Sequence, residues 1–454
     1  MSISVGGLSA ALRGRVVERG DAGYDEARGL YNAMIDKRPA AIAYCADEAD
    51  VAEAIRFARK ESLPLAVRCG GHSGGGFGSL DDGLVVDLSQ MHEVTVEPGA
   101  RVAHVQGGAL LKQVVDATHE HGLTVPVGVI GSTGVGGLTL GGGVGHLTRG
   151  CGLTVDNLLA ATVVLADGSV TQCDADHEQD LFWALRGGGG NFGVVTTFTF
   201  RCHPVTTVLA GPVMYDIEET PEVMRWYDGF IASAPDELGG FVSIMTVPPG
   251  PPFPEELHMR KVCAIVWTQV GDEEGDALRE ARAHGTPLVD GVAPVPLPAW
   301  NTAFDPMFPP GEQWSWHGDF VAELPDAALE QHREWGRKLP SWKSLMHLYP
   351  VDGVAARVGN GDTAWGYRDA RWAQVVAGVD PDPANAGTIR EWSGGYAAAV
   401  RPYAMAGGYQ NFQMDEPDRV RGMYGPNYDR LARIKAHYDP DNVFRANQNI
   451  TPAS

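Results

Sequence analysis

Long hydrophobic runs and paired cysteines are both missing from this sequence. Nowhere do about 18 apolar residues run together, so no membrane-spanning helix is predicted. The six cysteines are scattered and include no C-x-x-C pair, which argues against a disulfide framework or a zinc knuckle and fits a reducing compartment. Met1 to Gly20 contains no basic stretch followed by an apolar core, and we therefore expect a cytoplasmic protein.

Positive charge is scarce as well. Thirty-five basic residues against fifty-seven acidic ones give a net charge of −22, which opposes binding to nucleic acid or to anionic membranes and favours small-molecule partners. The motif G-x-x-x-x-G-K-S/T is absent, which excludes P-loop chemistry.

His119 and His121 have no further metal ligands nearby in sequence, so a surface segment and no metal site is predicted there. A length of 454 residues predicts two or three domains.

What the sequence has in excess is glycine, beginning with the turn from Arg68 to Gly78. This turn holds six glycines and one histidine in eleven residues, directly after the apolar run Leu63 to Val67. Glycine at such density is typical of backbone that needs φ > 0 or approaches a bulky partner closely. Consecutive N–H groups in a turn of this kind suit a pyrophosphate, so a cofactor cradle with a reactive His72 is predicted. A glycine-rich surface loop with an incidental histidine is the alternative.

Regular elements are predicted around this turn. A helix is predicted to begin at the cap Asp47, and strands are predicted over Leu63 to Val67 and Gly83 to Leu88. The second glycine cluster, Gly131 to His146, is too glycine-rich for the interior of a helix or strand. A hairpin is predicted at the turn Asp167-Gly168.

The third glycine cluster, Arg186 to Gly193, formally matches the dinucleotide fingerprint G-x-G-x-x-G. That fingerprint needs a strand before it and a helix after it. Here a helix-like segment precedes the cluster and a β-branched strand follows, so a Rossmann site is rejected. Beyond about residue 205 the glycine clusters stop and strand-like runs follow one another, which predicts a second domain with an antiparallel α+β sheet.

Together, the three glycine clusters and the tail from Tyr424 to Ile450 resemble the FAD-linked oxidases of the vanillyl-alcohol oxidase superfamily, berberine-bridge-enzyme-like branch. The tail carries Asp-Pro-Asp-Asn-Val-Phe and Asn-x-Asn-Ile. The layout is also similar to that of bacterial 6-hydroxynicotine oxidases and antibiotic-tailoring oxidases. The resemblance implies an α+β fold with a PCMH-type, two-subdomain FAD-binding domain and a substrate domain whose antiparallel sheet is covered by helices. The expected FAD-binding domain is 1–205, completed by 415–454, and the substrate domain is 206–414.

The resemblance also assigns the cofactor contacts. His72 matches the histidine that is joined to the flavin 8α-methyl, and Ile130 stands where many members have a second, cysteinyl bond, so a single covalent link is expected. Val135 matches a position beside the oxygen-reactive face of the flavin. The predicted FAD contacts are Arg68, Gly70, Gly71, His72, Ser73, Gly74, Gly78, Gly134, Val135, Gly136, Gly137, Gly141, Gly142, Gly143, His146, Gly193, Val195, Asn447 and Asn449.

The substrate side is less defined. Alcohol oxidases of this family commonly use the last tyrosine of Tyr-x-Asn-Tyr as base, but here the motif ends in Phe412, which leaves Tyr409 and Asn411 as candidates. His347 and Tyr349 would share one face of a strand, and Trp316 would form a pocket wall. The resemblance implies oxidation of an alcohol, amine or phenolic compound with dioxygen as acceptor, in a monomer or homodimer. The alternatives are an oxidative cyclase or desaturase, or a non-catalytic flavoprotein.

Overall fold

The computed structural model describes residues 6–454, so residues 1–5 of the predicted FAD-binding domain lie outside the described range. Its first part is a small mixed sheet with strand order β1-β2-β4-β3, in which β1 is antiparallel and the other pairs are parallel. The Asp47 side chain accepts a hydrogen bond from the Asp50 N–H and caps α3, which confirms the predicted helix start. The elements are α1 (Gly6–Ala11), β1 (Arg15–Glu18), α2 (Tyr24–Ala27), β2 (Ala41–Tyr44), α3 (Glu48–Lys60), β3 (Leu65–Arg68) and β4 (Leu84–Asp87).

A five-stranded antiparallel sheet follows, with strand order β5-β6-β9-β7-β8. The predicted turn Asp167-Gly168 joins β7 to β8, and the third glycine cluster lies between a helix and a strand, as the rejection of a Rossmann site required. The elements are β5 (Val94–Glu97), β6 (Val102–Gln106), α4 (Leu111–His119), α5 (Val135–Gly141), α6 (Thr148–Cys151), β7 (Leu158–Val164), β8 (Val170–Asp174), α7 (Gln179–Leu185) and β9 (Val194–Arg201).

Helix α5 corrects one prediction, because the second glycine cluster was expected to contain no regular element. The helix forms because Val135 and Leu140 are buried in the core, and packing of this kind overrides poor helix propensity. Its glycines let other segments approach closely. A Cβ added to Gly136 would lie 3.0 Å from the Gly107 carbonyl oxygen, and one added to Gly141 would lie 2.0 Å from Asn411 Oδ1.

The third sheet is antiparallel throughout, with order β13-β10-β12-β11-β16-β17-β15 and β14 paired to β10. Three helices, α8, α11 and α12, bury one face of it, which confirms the predicted α+β class. The elements are β10 (Thr207–Asp216), α8 (Thr220–Ser233), β11 (Leu238–Thr246), β12 (Lys261–Val270), α9 (Asp276–Arg282), β13 (Val289–Asp290), β14 (Ala293–Pro296), α10 (Leu297–Asn301), β15 (Gln313–Val321), α11 (Asp326–Gly336), β16 (Leu345–Pro350), β17 (Trp372–Asp380) and α12 (Ala386–Val400).

The tail contains α13 (Val420–Tyr424) and α14 (Tyr428–Tyr438) and then returns to the third glycine cluster. The buried Lys435 pairs with Asp439 at 2.9 Å and also donates to the Asn191 carbonyl. The Asn191 side chain accepts from the Ile450 N–H at 2.9 Å. These bonds fix the end of the chain beside residues 186–193. Each helix within residues 6–454 is too short or too polar to span a bilayer.

Candidate active site

A cavity of about 380 Å³ lies between the glycine clusters and the free face of the eight-stranded sheet. All three glycine clusters, the tail and strands β15, β16 and β17 contribute to its wall. Of the residues predicted for the site, the wall includes Arg68, Gly70, Gly71, His72, Ser73, Gly74, Gly78, Gly134, Gly136, Gly137, Gly141, Gly193, Val195, Asn447, His347, Tyr349 and Asn411. Trp316, the predicted pocket wall, also lines it.

The first glycine turn forms one end of the cavity. The backbone N–H groups of residues 71 to 75 donate no hydrogen bond to another group of residues 6–454. Gly71 has φ +70°, and a Cβ added to Gly74 would lie 2.0 Å from Trp316 Nε1. Consecutive N–H groups without a protein acceptor, in a turn that lines a cavity, can bind an anion and would suit a pyrophosphate.

The imidazole of His72 is held against this wall. Its Nε2 lies 3.1 Å from Ser132 Oγ, its Nδ1 lies 3.4 Å from Thr133 Oγ1, and the ring stacks on Tyr31 with 3.8 Å between ring centroids. Burial lowers the pKa of His72 to about 3. The ring is therefore neutral at physiological pH, and a ring nitrogen keeps a lone pair for bonding.

Sequence reasoning missed these three neighbours of His72. Ser132 and Thr133 lie in the second glycine cluster, where only the glycines and Val135 were singled out. Tyr31 stands alone before the first predicted helix and carried no signal of its own. Their contacts depend on packing between segments that are distant in the chain.

The sheet side of the cavity carries a hydrogen-bonded pair. His347 Nδ1 lies 2.8 Å from the Tyr349 hydroxyl, and both side chains line the cavity, as their shared strand face predicted. Burial, and then the neighbouring His146, lower the pKa of His347 to about 3, while burial raises the pKa of Tyr349. Phe412 lies beside Tyr349, with 5.8 Å between ring centroids. The wall at this point offers one imidazole edge and one phenol to a ligand.

On the substrate side, Tyr409 was predicted as a site residue, but it does not line the cavity. Its side chain is 1% exposed, and its hydroxyl accepts the Gly143 N–H at 2.8 Å and the Asn411 amide at 3.0 Å. The hydroxyl therefore supports the turn after α5 from behind. Asn411, by contrast, reaches the wall, where it donates to the Leu138 carbonyl at 3.1 Å.

Two of the predicted FAD contacts, Gly142 and Gly143, also lie behind the wall. These glycines have φ +131° and +85°, and an added Cβ would lie 2.8 Å from Trp365 Nε1 or 2.1 Å from Thr154 Oγ1. Glycine is thus required there by protein packing. Asn449 does not line the cavity either.

Val135 and His146 are turned away from the cavity as well. Val135 is fully buried in the core of the five-stranded sheet region. His146 is buried against Trp300 and Phe241, with ring centroids 5.0 and 6.1 Å apart, and neither ring nitrogen has a partner among the described residues. Thr133 reaches the wall in the second cluster where Val135 was expected.

Comparison with known proteins agrees with this arrangement. The model of an FAD binding domain matches residues 39–174, and that of the berberine and berberine-like segment matches residues 408–451. An uncharacterised FAD-linked oxidoreductase of Bacillus subtilis, YgaK, is 31% identical over 451 residues, which is 97% of each chain. The chain belongs to the berberine-bridge-enzyme-like FAD-linked oxidoreductases.

Further members of this family extend the comparison to solved structures. The (R)-6-hydroxynicotine oxidase of Paenarthrobacter nicotinovorans is 28% identical over 97% of each chain. The crystal structure of 6-hydroxy-D-nicotine oxidase from Arthrobacter nicotinovorans has a TM-score of 0.86 at 27% identity, and the match covers 97% of this chain and 98% of that one. The expected PCMH-type fold is thereby confirmed.

The residues of the cavity fit the FAD of this family. Arg68 Nη1, Asn447 Oδ1 and Gln448 Oε1 are buried, and none of them has a partner among the described residues. All three residues line the cavity. Buried polar atoms are ordinarily hydrogen-bonded, so a polar ligand is expected at this end. A pyrophosphate and a ribityl chain would supply the missing partners.

Proposed function

We propose that the protein is an FAD-dependent oxidase in which His72 holds the flavin by one covalent bond. It would oxidise a small-molecule alcohol, amine or phenolic compound and reduce dioxygen to hydrogen peroxide. The observation that carries the proposal is a neutral imidazole at the wall of a glycine-lined cavity, beside free N–H groups. The similarity to a 6-hydroxynicotine oxidase supports it. When bound, FAD accepts a hydride equivalent and passes two electrons to dioxygen.

The residues of the cavity wall have distinct roles in this proposal. His72 supplies the ring nitrogen for the bond, with Ser132 and Tyr31 holding the ring in place. The N–H groups of residues 71 to 75 bind the pyrophosphate. Ile130 lines the cavity and has no thiol, so we expect no second bond at that position.

His347 is the group that we propose as proton acceptor. With Nδ1–H donating to the Tyr349 oxygen, Nε2 keeps a lone pair that can accept the proton of a substrate hydroxyl. Phe412, which stands at the usual tyrosine position, cannot accept a proton. Hydride leaves the carbinol carbon as the hydroxyl proton leaves, and the product is a carbonyl compound.

Two measurements on the purified holoenzyme test the proposal. After acid precipitation we expect flavin in the protein pellet of the wild type and of His121→Ala, an exposed histidine that serves as control, but none in the pellet of His72→Ala. Flavin in the His72→Ala pellet would exclude the tether. A substrate that bleaches the flavin without air should release peroxide in air. Turnover with dyes alone and no peroxide would exclude an oxidase.

A further inference from the structure

Tyr31 is the side chain on which the His72 ring rests. The two rings are stacked, with 3.8 Å between their centroids and an angle of 18° between their planes. The Tyr31 N–H also donates at 3.2 Å to the carbonyl of Gly71, the residue directly before His72. The stack fixes the plane of the imidazole, and Ser132 at Nε2 fixes its rotation within that plane.

Tyr31 is itself held by a segment of the eight-stranded sheet that is far away in the chain. Its hydroxyl donates at 2.8 Å to the carbonyl of Phe308, which lies in the connection between α10 and β15. Burial, and then Glu312 and Asp305, raise the pKa of Tyr31, so the phenol stays protonated and remains a donor. The Tyr31 carbonyl accepts the N–H of Gly311 at 3.0 Å.

The next two residues extend this contact along the start of β15. The Asn32 side chain accepts from the Trp314 N–H at 3.1 Å and donates to the Trp314 carbonyl at 3.0 Å. The Ala33 N–H donates to the Glu312 carbonyl at 2.9 Å, and Asn32 forms a parallel bridge with Glu312. Asn32 is 1% exposed, so its bonds are shielded from water. Residues 31–33 therefore connect the edge of the sheet to the ring of His72.

We infer that Tyr31 is a positioning residue for the attachment of the flavin, and that the eight-stranded sheet orients His72 through it. This inference rests on the proposed function and deepens it, because it makes the covalent bond depend on the contact between the sheet and the glycine turn. Bond formation needs a lone pair aimed at the reacting carbon, so a ring that is free to turn would react more slowly.

The attachment step balances with dioxygen as the oxidant. A ring nitrogen of His72 becomes bonded to the 8α-carbon of the flavin, and one C–H bond and one N–H bond are lost. The two hydrogens leave as two protons and two electrons, which first reduce the flavin and then convert dioxygen to hydrogen peroxide. Tyr31 takes no part in the proton transfers, and its contribution is the orientation of the ring.

Bound and attached flavin can be measured separately in one preparation. Each variant would be purified after incubation with FAD in air, total flavin would be read from its absorption, and attached flavin from the pellet after acid precipitation. Tyr31→Leu removes the stack, so we expect the attached share to fall at least about tenfold while total flavin stays near that of the wild type. Tyr31→Phe keeps the stack but loses the bond to the Phe308 carbonyl, so its attached share should be intermediate.

The matched control is Tyr24→Leu. Tyr24 is another buried tyrosine, and its hydroxyl donates at 2.6 Å to the carbonyl of Pro39, but it does not line the cavity. Its replacement removes a ring of the same size from the core and should leave the attached share of the flavin as in the wild type.

The outcomes separate this inference from the proposed function. An unchanged attached share in Tyr31→Leu would overturn the inference. So would a parallel loss of bound and attached flavin, because Tyr31 would then only support the fold of the site. An attached share in Tyr31→Phe equal to that of the wild type would overturn the role of the sheet. Flavin that is wholly extractable from the wild type would contradict the proposed tether, and the inference with it.

Discussion

His347 is the residue on which the proposed proton transfer depends. Substitution of His347 by Gln should lower kcat/KM for an alcohol substrate by about 10², the lower end of the usual contribution of a general base, because a base with a pKa near 3 is poorly matched to neutral pH. Tyr349→Phe should cost less, about tenfold, because it removes only the hydrogen bond that orients the ring. With the pKa of His347 lowered to about 3, the wild-type rate of anaerobic flavin reduction should stay level from pH 8 to about 5.

The control for this substitution is His317→Gln. His317 faces away from the cavity and pairs with Glu416 at 3.0 Å, so its loss should leave the reduction rate unchanged. A His347→Gln enzyme with wild-type rates would show that the substrate needs no protein base here.

Among the individual site residues, the sequence predicted those that depend on a local pattern and missed those that depend on long-range contacts. The period of a strand is enough to put His347 and Tyr349 on one face, and the structure confirms this. The Tyr409 hydroxyl accepts a hydrogen bond from the Gly143 N–H, which lies 266 positions away in the chain. No local sequence pattern contains that contact. The neighbours of His72 were missed for the same reason.

At the scale of secondary-structure elements, helix α5 contains glycines that are required for two different reasons. Gly141 is fixed by protein contacts, but an added Cβ at Gly137 would meet nothing within 4 Å of the described protein. Alanine is favoured over glycine in a helix by about 1 kcal/mol. Gly137 lines the cavity, so we expect bound FAD to occupy the space beside it.

Replacement of Gly137 by Ala should therefore lower the flavin content of the purified protein without lowering the stability of the fold. The flavin-to-protein absorbance ratio and the urea midpoint measure the two effects. Gly229→Ala, in α8 and also free of contacts, should keep full flavin and raise the midpoint. Full flavin occupancy in Gly137→Ala would mean that the cofactor does not reach this helix.

Over the whole molecule, the site joins segments from both ends of the chain and the middle. The glycine clusters and the return of the tail were predictable, because dense glycine and the family signatures are local features. The shape of the sheet side of the cavity was not, since the register of β15, β17 and β16 and the loop that places Phe412 on Gly318 are tertiary. The domain boundaries at 205 and 414 stay a prediction.

Buried histidines should set the stability of the molecule in mild acid. Burial lowers the pKa of His146 and His332 to about 3. Since an unfolded histidine titrates near 6.5, the unfolded chain binds protons first as the pH falls. The free energy of unfolding should thus be full above about pH 6.5 and should decline below it, by about 2 kcal/mol for each such histidine at pH 5. Glu416, whose hydrogen bond with His317 lowers its pKa to about 2, stabilises the fold fully above its unfolded value of 4.5, and this contribution is lost only as the pH falls below 4.5.

His332 allows the effect of a buried histidine on stability to be measured apart from the site. It lies on α11, contacts Tyr396 of α12 and does not line the cavity. It is 1% exposed, and its Nδ1 lies 2.7 Å from the Tyr396 hydroxyl. Glutamine can keep a hydrogen bond to Tyr396 but does not titrate. Urea unfolding at pH 7.5 and at pH 5 should show a loss of stability for His332→Gln that is about 2 kcal/mol smaller than for the wild type. The exposed His121→Gln should lose as much as the wild type, and an equal loss in His332→Gln would mean that His332 is protonated in the folded protein at pH 5.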